Sequence, residues 1–445
     1  MNILVLDVGT SSMRGTLINE HRAVLFRRQV KYQPTFGPGD AVEQDPEDWV
    51  HAMTEICAVA AQAEAVDAVA ITAQRSSVIP ADSSMRPVAP AVMWQDTRNR
   101  DTCDKRKPQE EQIRRRCGTG INTVFSGGKI AWLQEAHPEL RRRTAHYFVV
   151  AEYLLYIMTG ETVLDHTYGS RSMLMDIREH CWSSELLSLF GVDGDTLGRL
   201  IPPSSVAGHI QKEFAQKTGL CEGIPVVTCG GDQQCGALGQ GVIGPGVVSV
   251  NLGTGAYLIA AAECVPDELP AGILCNCASV PGTYILEYSV LTCGAALDWF
   301  FRVWGEDVSF VGEALRKSPM GANGVSCKPF FQGSSAPDWD SSARAEFSGL
   351  SLASTKEDML RALLEGICCE IHKGIAALEH ISPIDRVVLS GGLTKTPEVI
   401  SLMAEITGKN VSAAETEDAT TQGAWLSAMM ALGLRSDWEL QDSVD

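Results

Sequence analysis

The sequence predicts an α/β protein made of two similar domains. Patterns typical of strands and of helices alternate along the 445 residues, which favours layers of both kinds. A chain of this length also suggests more than one hydrophobic core. Two β-hairpins with Gly-Thr turns, near residues 10 and 254, indicate that a similar unit begins twice. We therefore predict domains at 1–240 and 241–445, divided at a glycine-rich connector.

The first half opens with a hairpin and continues into a helix. Strands are predicted over 3–7, 13–18, 66–72 and 224–229. A helix is predicted over 46–63, because Asp45 suits the N-cap position and Pro46 suits the first helical turn.

The second half repeats the hairpin and then becomes mainly helical. Strands are predicted over 247–251, 256–262 and 386–389, and helices over 356–380, 397–407 and 420–432. Ser354 and Glu357 have the spacing of a capping box for the long helix. Thr396 and Pro397 are typical of the start of the next helix.

Composition excludes several classes of function. The net charge of -19 disfavours nucleic-acid binding, which needs a basic field. No apolar run approaches the ~18 residues of a membrane-spanning helix, and the N-terminus lacks a signal-peptide pattern. The 14 cysteines lack the spacing of a zinc ribbon, so we expect no metal site formed by them. Free, buried thiols in a reducing compartment are expected instead of disulfides. We expect a cytoplasmic protein that binds neither nucleic acid nor membrane.

The first hairpin turn has the composition of a phosphate-binding site, with converging N–H groups, hydroxyl donors and small residues. The turn and its flanks offer Asp7, Gly9, Thr10, Ser11, Ser12 and Arg14. A carboxylate at a strand end suits hydrated Mg²⁺, and an arginine on the outgoing strand suits a phosphate. Gly253 and Thr254 form a second turn of this kind. No G-x-x-x-x-G-K-[ST] is present, so this is not a P-loop protein.

Asp232 is the sharpest candidate for chemistry. It follows Gly230 and Gly231 at the predicted end of a strand, where α/β proteins place ligands. The alternative is that Asp232 only caps the following helix, as aspartates often do. The two phosphate-type turns in the same chain favour the catalytic role.

Six segments together resemble the FGGY carbohydrate kinases of the actin-like ATPase superfamily. They are Leu6–Ser12, Glu43–Trp49, Trp94–Arg98, Phe125–Leu133, Ala345–Leu350 with Leu363–Gly366, and Ser390–Gly392. Each is common alone, but their shared order along nearly the whole chain is specific. The run Gly231–Gln234 and the pair Gln74 and Arg75 look most like glycerol kinase.

The resemblance implies two actin-like, ribonuclease H-like domains with a catalytic cleft between them. It implies a kinase that transfers the γ-phosphate of ATP, with Mg²⁺, to a hydroxyl of a small sugar or polyol. The first domain would hold substrate and catalytic carboxylate, and the second would hold the nucleotide. One alternative is a non-catalytic, nucleotide-binding regulatory protein of the same superfamily. Another is a phosphotransferase like exopolyphosphatase or acetate kinase, which would share the hairpin turns but would not explain the Gly231–Gln234 run. A homodimer is compatible with the resemblance, and the sequence alone does not determine the oligomeric state.

The resemblance also assigns roles to individual residues. Asp232 would be the base and, with Asp7, a metal ligand. Substrate would contact Arg75, Ser76, Asp232 and Gln233. The phosphates and adenosine would contact Thr10, Ser11, Ser12, Arg14, Gly253, Thr254, Gly294, Gly391, Gly392 and Thr396.

Two positions depart from the glycerol kinase pattern. Ser76 stands where glycerol kinase has an acidic residue, and Val124 stands where it has an aromatic residue. Both changes remove groups that hold glycerol, so another polyol, or a ketose such as xylulose, is as strong a substrate candidate as glycerol.

Several charged and aromatic residues suit a structural role as well as a functional one. Arg75 alone suggests a surface ion pair, and Asp96 with Arg98 suggests either substrate contact or an internal salt bridge. Trp94 and Trp132 suit the core or the wall of a cleft.

Overall fold

Strands and helices alternate along the part of the chain that the structure describes. The computed structural model describes residues 1–336, 339–416 and 418–440. The strands are β1 Asn2–Val8, β2 Ser12–Asn19, β3 Val24–Lys31, β4 Thr35–Phe36, β5 Val42–Gln44, β6 Ala68–Ala73, β7 Val78–Ala81, β8 Ala91–Val92, β9 His146–Val149, β10 Val163–Asp165, β11 Met175–Asp176, β12 Cys181–Trp182, β13 Arg199–Ile201, β14 Ser205–His209, β15 Pro225–Gly231, β16 Gly246–Leu252, β17 Ala256–Ala262, β18 Leu274–Cys277, β19 Tyr284–Val290, β20 Ser326–Lys328, β21 Glu346–Ser348, β22 Ile384–Ser390 and β23 Asn410–Ala413.

The helices follow the same order. They are α1 Pro46–Ala63, α2 Arg100–Asp104, α3 Glu110–Cys117, α4 Ser126–Ala136, α5 Pro138–Arg143, α6 Val150–Thr159, α7 His166–Gly169, α8 Ser184–Phe190, α9 Lys212–Thr218, α10 Asp232–Gly239, α11 Gly294–Trp304, α12 Phe310–Lys317, α13 Lys356–Glu379, α14 Pro397–Thr407 and α15 Ala419–Ala431. Short 3₁₀ turns lie at Lys107–Gln109, Gly194–Thr196, Ala322–Gly324 and Gly392–Lys395. Over the described ranges, no helix has the length and apolar character needed to cross a membrane.

The chain forms two compact units. The first contains residues 1–239, 276–283 and the described residues from 418 onward, and the second contains 240–275 and 284–416. The predicted domains, 1–240 and 241–445, differ from these units in the two short segments that belong to the first unit. The domain boundaries that we predict from the sequence therefore remain a prediction.

The main sheet of the first unit has the strand order β14-β15-β6-β1-β2-β3. Strands β1, β2 and β3 form an antiparallel meander, while β6 pairs parallel to β1 and β15 pairs parallel to β6. A core that includes Trp49, Phe148 and Tyr153 packs beneath this sheet. Because parallel strands end at the same edge, the residues that follow β1, β6 and β15 come together there.

The second unit repeats this arrangement. An antiparallel meander of β16, β17 and β19 is followed by β22 and β23, which pair parallel to β16 and to β22. A long helix precedes the first added parallel strand in both units, α1 in the first and α13 in the second. The prediction of an α/β fold with two hairpin-led, actin-like units is confirmed.

Helix α1 begins where the sequence predicts. The Asp45 carboxylate accepts a hydrogen bond from the Glu47 N–H at 3.0 Å, and Pro46 occupies the first turn. The apolar residues of this helix recur on one face, which buries Trp49 and Ile56 against the sheet.

The predicted capping box of the long helix is wrong by one residue. Thr355, not Ser354, caps α13: its hydroxyl accepts from the Asp358 N–H, and the Asp358 carboxylate accepts from the Thr355 N–H. The Ser354 hydroxyl instead accepts from the Ser351 N–H at 2.9 Å, within the preceding turn. A serine can satisfy a local turn as readily as a helix end, and the spacing alone does not decide between them.

Helices α10 and α15 approach so closely that glycine is needed where they touch. A Cβ atom on Gly423 would lie 1.9 Å from the Cys235 carbonyl oxygen, and one on Gly239 would lie 1.9 Å from the Ala419 carbonyl oxygen. This contact fixes α10, the helix that begins at Asp232, against the last helix of the first unit.

We predict that Gly423→Ala lowers the free energy of unfolding by about 1–3 kcal/mol, because the added methyl group forces the two helices apart. Gly236→Ala in α10 is the matched control. Its Cβ would meet only the Thr420 hydroxyl oxygen at 3.4 Å, so helix propensity should stabilise the protein by about 0.5–1 kcal/mol. Urea unfolding of both variants checks this, and equal midpoints would contradict it.

Candidate active site

The turn between β1 and β2 is held by neighbouring side chains. The Tyr32 hydroxyl donates to the Gly9 carbonyl at 2.9 Å, and the Trp94 indole N–H donates to the Thr10 hydroxyl at 3.1 Å. Ser11 is exposed at the tip. Trp94 therefore belongs to the wall of this site, and side chains of the protein itself hold the predicted phosphate turn in place.

Ser12 and Arg14 continue from the turn along β2. The Ser12 hydroxyl accepts a hydrogen bond from the Gln29 amide at 2.8 Å. The Arg14 guanidinium forms a 3.0 Å ion pair with Asp418, the residue before α15, and Arg27 contacts the same carboxylate at 3.2 Å. Arg14 is the register partner of Asp7, so the arginine and the carboxylate lie side by side on paired strands.

Asp7 stands in an environment that resists its ionisation. Burial and the charge of Asp232 raise the pKa of the Asp7 carboxyl to about 7, with Arg14 opposing and Asp418 adding to the rise. Within the described ranges, no cluster of three or more His, Cys, Asp or Glu side chains is arranged to hold a metal ion. The carboxylates of Asp7 and Asp232 offer oxygen ligands, which suit a cation that keeps most of its water ligands, as Mg²⁺ does.

Asp232 begins α10 directly after β15. One carboxylate oxygen accepts from the Gln233 N–H at 2.8 Å and lies 3.6 Å from Arg75 Nε. The side chain is 30% exposed and so remains accessible to a small molecule. Asp232 is the first residue of the helix, and its bond to the next N–H leaves the exposed carboxylate able to accept a proton from a substrate. Gln233 follows it and is half-buried.

Arg75 is not a surface residue. Its side chain is only 10% exposed, and its guanidinium donates to the Gln234 side-chain oxygen at 3.3 Å besides pairing with Asp232. The aliphatic part packs on Gly231, where a Cβ would lie 2.6 Å from the Arg75 Cδ atom. The surface ion pair that the sequence left open is therefore wrong, and Arg75 is held directly beside Asp232.

Ser76 and Phe125, the residue after Val124, both contact Arg171. Ser76 is buried with a φ of 72°, a conformation that costs a non-glycine residue on the order of 1 kcal/mol. Its hydroxyl donates to the Arg171 carbonyl at 3.4 Å. The Arg171 guanidinium lies 4.6 Å from the centre of the Phe125 ring, the residue next to Val124.

Asp96 and Arg98 form an internal salt bridge. Their side chains approach to 2.7 Å, and Arg98 also contacts Glu43 at 2.7 Å. Asp96 is fully buried and accepts from the Val42 N–H, while Arg98 stacks on Trp132. These contacts support the structural alternative for this pair.

In the second unit, the Gly253–Gly255 turn packs on the start of α11. The Gly294 N–H donates to the Gly253 carbonyl at 2.8 Å, and the Cys293 N–H donates to the Thr254 carbonyl at 2.9 Å. Thr254 is exposed at the tip of the turn, as Ser11 is in the first unit.

Gly391 and Gly392 follow β22 in the same unit. Gly391 has a φ of 103°, and a Cβ there would lie 2.3 Å from the Leu252 carbonyl oxygen. A Cβ on Gly392 would meet no atom within 4 Å, so of these two residues only Gly391 is sterically required to be glycine. Thr396 precedes α14 without a side-chain capping bond, so its hydroxyl does not close the helix end.

The predicted residues thus gather at corresponding sheet edges of the two units. The first edge carries Asp7, Thr10, Ser11, Ser12, Arg14, Arg75, Ser76, Asp232 and Gln233, and the second carries Gly253, Thr254, Gly294, Gly391, Gly392 and Thr396. The sequence analysis missed Asp418 and Tyr168, which contact the first edge through tertiary packing. Only the position of Asp418 just before a helix could have drawn attention to it.

Comparison with known proteins places the chain in a family. Residues 2–239 match the N-terminal domain, and residues 248–432 the C-terminal domain, of the FGGY family of carbohydrate kinases. A glycerol kinase from Koribacter versatilis is 30% identical, covering 98% of this chain and 90% of its own. A xylulose kinase from Bacillus subtilis is 26% identical, covering 97% of this chain and 88% of its own.

Solved structures share the fold. A ligand-bound xylulose kinase from Lactobacillus acidophilus has a TM-score of 0.91 at 22% identity, covering 98% of this chain and 90% of its own. A Plasmodium falciparum glycerol kinase with ADP has a TM-score of 0.92 at 24% identity, covering 98% and 90%. With both family domains matched in order along the chain, the protein belongs to the FGGY family of carbohydrate kinases, which use ATP as phosphate donor.

Proposed function

We propose that this protein transfers the γ-phosphoryl group of ATP to a hydroxyl group of a small sugar or polyol, with Asp232 as the general base. The observation that carries the proposal is the accessible Asp232 carboxylate, held beside the buried Arg75 at the edge where β6 and β15 end. A non-catalytic regulatory role would leave this paired, accessible carboxylate without a purpose. The family match does not favour that role.

In the proposed reaction, the substrate hydroxyl oxygen attacks the γ-phosphorus atom and the bond to the leaving ADP oxygen breaks. Asp232 accepts the hydroxyl proton as the new bond forms, which typically contributes about 10²–10⁴ in rate. Arg75 orients the carboxylate through their ion pair, and Arg75, Ser76 and Gln233 would contact substrate oxygens. Positioning and charge stabilisation supply most of the rate in phosphoryl transfer.

The hairpin turns supply the groups that suit phosphate. Backbone N–H groups and hydroxyls of Thr10, Ser11 and Ser12 in the first unit, and of Thr254 in the second, would donate to phosphate oxygens. Arg14 adds a cation, at present paired with Asp418. Gly294, Gly391, Gly392 and Thr396 would contact the nucleotide.

Asp7 and Asp232 are the residues that would hold Mg²⁺, largely through water. When bound, the cation would neutralise charge on the phosphate oxygens. The raised pKa of Asp7 supports this assignment, because a carboxyl that resists ionisation beside another carboxylate gains from a nearby cation.

Substrate identity is narrowed by Ser76 and Val124. Relatives include enzymes named xylulose kinase and glycerol kinase, so both ketoses and polyols are candidates. The two departures remove a carboxylate and an aromatic ring that would enclose glycerol. A larger substrate could fill that space and bring its own hydroxyl groups.

We predict that Asp232→Asn lowers kcat by about 10²–10⁴ while ATP still binds, because the amide cannot accept the proton. Steady-state kinetics with the preferred substrate and calorimetry with ATP test the two parts. Asp195→Asn, which changes an exposed aspartate of the same unit, should leave both unchanged. A near-normal kcat in Asp232→Asn would show that another group is the base.

Asp7→Asn should stabilise the ligand-free protein at alkaline pH and reduce its activity. A carboxyl whose pKa is higher in the folded than in the unfolded chain destabilises the fold once pH exceeds the unfolded value. For Asp7 this cost is absent below pH ~4, grows up to pH 7 and is complete above it. We therefore expect the variant to gain about 1–4 kcal/mol in unfolding free energy at pH 8 and almost nothing at pH 4.

Chemical denaturation of Asp7→Asn at several pH values, without nucleotide or Mg²⁺, measures this gain. Asp195→Asn serves again as the control. A gain that does not change with pH would mean that ionisation of Asp7 is not what strains the fold.

Glycerol is expected to be a poor substrate. A site that binds a hydroxyl group loses affinity strongly when one of its buried partners is missing. Values of kcat/KM for glycerol, tetritols, pentitols and ketopentoses, measured by coupled ADP release, rank the candidates. Glycerol as the best substrate of the panel would overturn this prediction, and no activity on any member would count against the proposed substrate class.

A further inference from the structure

The register of β6 and β15 breaks where the candidate site begins. Thr228 pairs with Ile71 and Gly231 pairs with Ala73, so β15 contains one residue more than β6 over this step. The extra residue forms a bulge, and Gly230 takes a φ of 102° within it. A bulge interrupts the ladder of backbone hydrogen bonds, and the freed groups need other partners because they are buried.

Tyr168 satisfies groups on both sides of the bulge. Its hydroxyl accepts from the Ala73 N–H at 2.9 Å and donates to the Gly230 carbonyl at 3.0 Å. The residue is 2% exposed, and burial with the charge of Asp165 holds the pKa of its hydroxyl well above the usual value. The hydroxyl therefore stays protonated and keeps both hydrogen bonds at every physiological pH.

The two anchored strands lead directly to the reacting groups. On one side, Ala73 is followed by Gln74 and Arg75; on the other, Gly230 is followed by Gly231 and Asp232. The distance between Arg75 and Asp232 thus depends on how β6 and β15 are joined at their ends. The Tyr168 hydroxyl bridges them at that point.

Tyr168 is itself held rigidly by the turn before it. The buried Asp165 carboxylate accepts from the Thr167 N–H at 2.9 Å, from the Thr167 hydroxyl and from the Thr228 hydroxyl. The Thr167 hydroxyl oxygen also accepts from the Gly231 N–H at 3.0 Å. This network fixes α7, and with it Tyr168, to β15 at two further places.

We infer that Tyr168 is a positioning residue for the kinase reaction, whose hydroxyl sets the spacing between Arg75 and Asp232 across the bulge. It does not touch the reacting atoms, since its hydroxyl lies behind the ends of the strands with both bonds to backbone. This inference rests on the proposed function, because it presumes that the Arg75 and Asp232 pair works on the substrate hydroxyl.

The test is Tyr168→Phe, which keeps the buried ring and removes only the bridging oxygen. We expect kcat to fall roughly 10- to 100-fold, the effect of a small misplacement of a catalytic group, while the KM for ATP changes less than about twofold. Tyr153→Phe, at another buried tyrosine of the same unit, is the matched control. It should leave kcat within about twofold of the wild type.

A double-mutant cycle separates positioning from general destabilisation. If Tyr168 acts through Asp232, adding Tyr168→Phe to Asp232→Asn should lower the residual kcat by less than about twofold. A loss in that background as large as in the wild type would overturn the inference, as would a Tyr168→Phe enzyme that behaves like Tyr153→Phe.

A second variant covers the case in which Tyr168→Phe does not fold. The Thr72 hydroxyl also donates to the Gly230 carbonyl, at 2.8 Å, and Thr72→Val removes that bond from the β6 side. We expect the same pattern at smaller size, about 3- to 10-fold in kcat, because the carbonyl keeps its Tyr168 bond. An unchanged kcat in Thr72→Val would count against anchoring of the bulge. Wild-type activity on the substrate panel is measured first, so that failure of the proposed function is seen separately.

Discussion

Parallel pairing of β1, β6 and β15 is the constraint on which the candidate site depends. It brings three strand ends to one edge, and each end carries a different group: Asp7, Arg75 and Asp232. None of these side chains could meet through local sequence contacts. The antiparallel meander next to them supplies the phosphate-type turn at the same edge, so a single sheet topology gathers acid, cation and hydroxyl donors.

Two residues at the same edge of the sheet adopt states that are energetically unfavourable by themselves. Asp7 is a carboxyl whose pKa is raised toward neutrality, and Ser76 adopts a left-handed backbone conformation without being glycine. Each costs stability and neither serves the core. Such departures are typical of sites selected for binding and catalysis.

Patterns of local sequence predicted much of the architecture. Helix α1 begins and ends where predicted, and both hairpins appear, because caps, proline and alternating burial act over a few residues. The capping box before α13 was misplaced since two neighbouring hydroxyl residues both have polar partners. Asp232 could be identified as a candidate because two glycines precede it at the end of a strand. Tyr168 could not be identified, because its role depends on a bulge between two strands about 150 residues apart, and no pattern in the sequence predicts that bulge.

The packing of α15 on α10 has a consequence for how the protein is made in the cell. Residues 418–440 complete the first unit, yet the ribosome synthesises them after every residue of the second. Until they emerge, the backbone of α10 around Cys235 and Gly239 lacks the helix that covers it, and Arg14 lacks Asp418. The first unit of the nascent chain therefore stays incomplete until these last residues are synthesised. Incompletely folded units of this kind bind chaperones and are prone to aggregate.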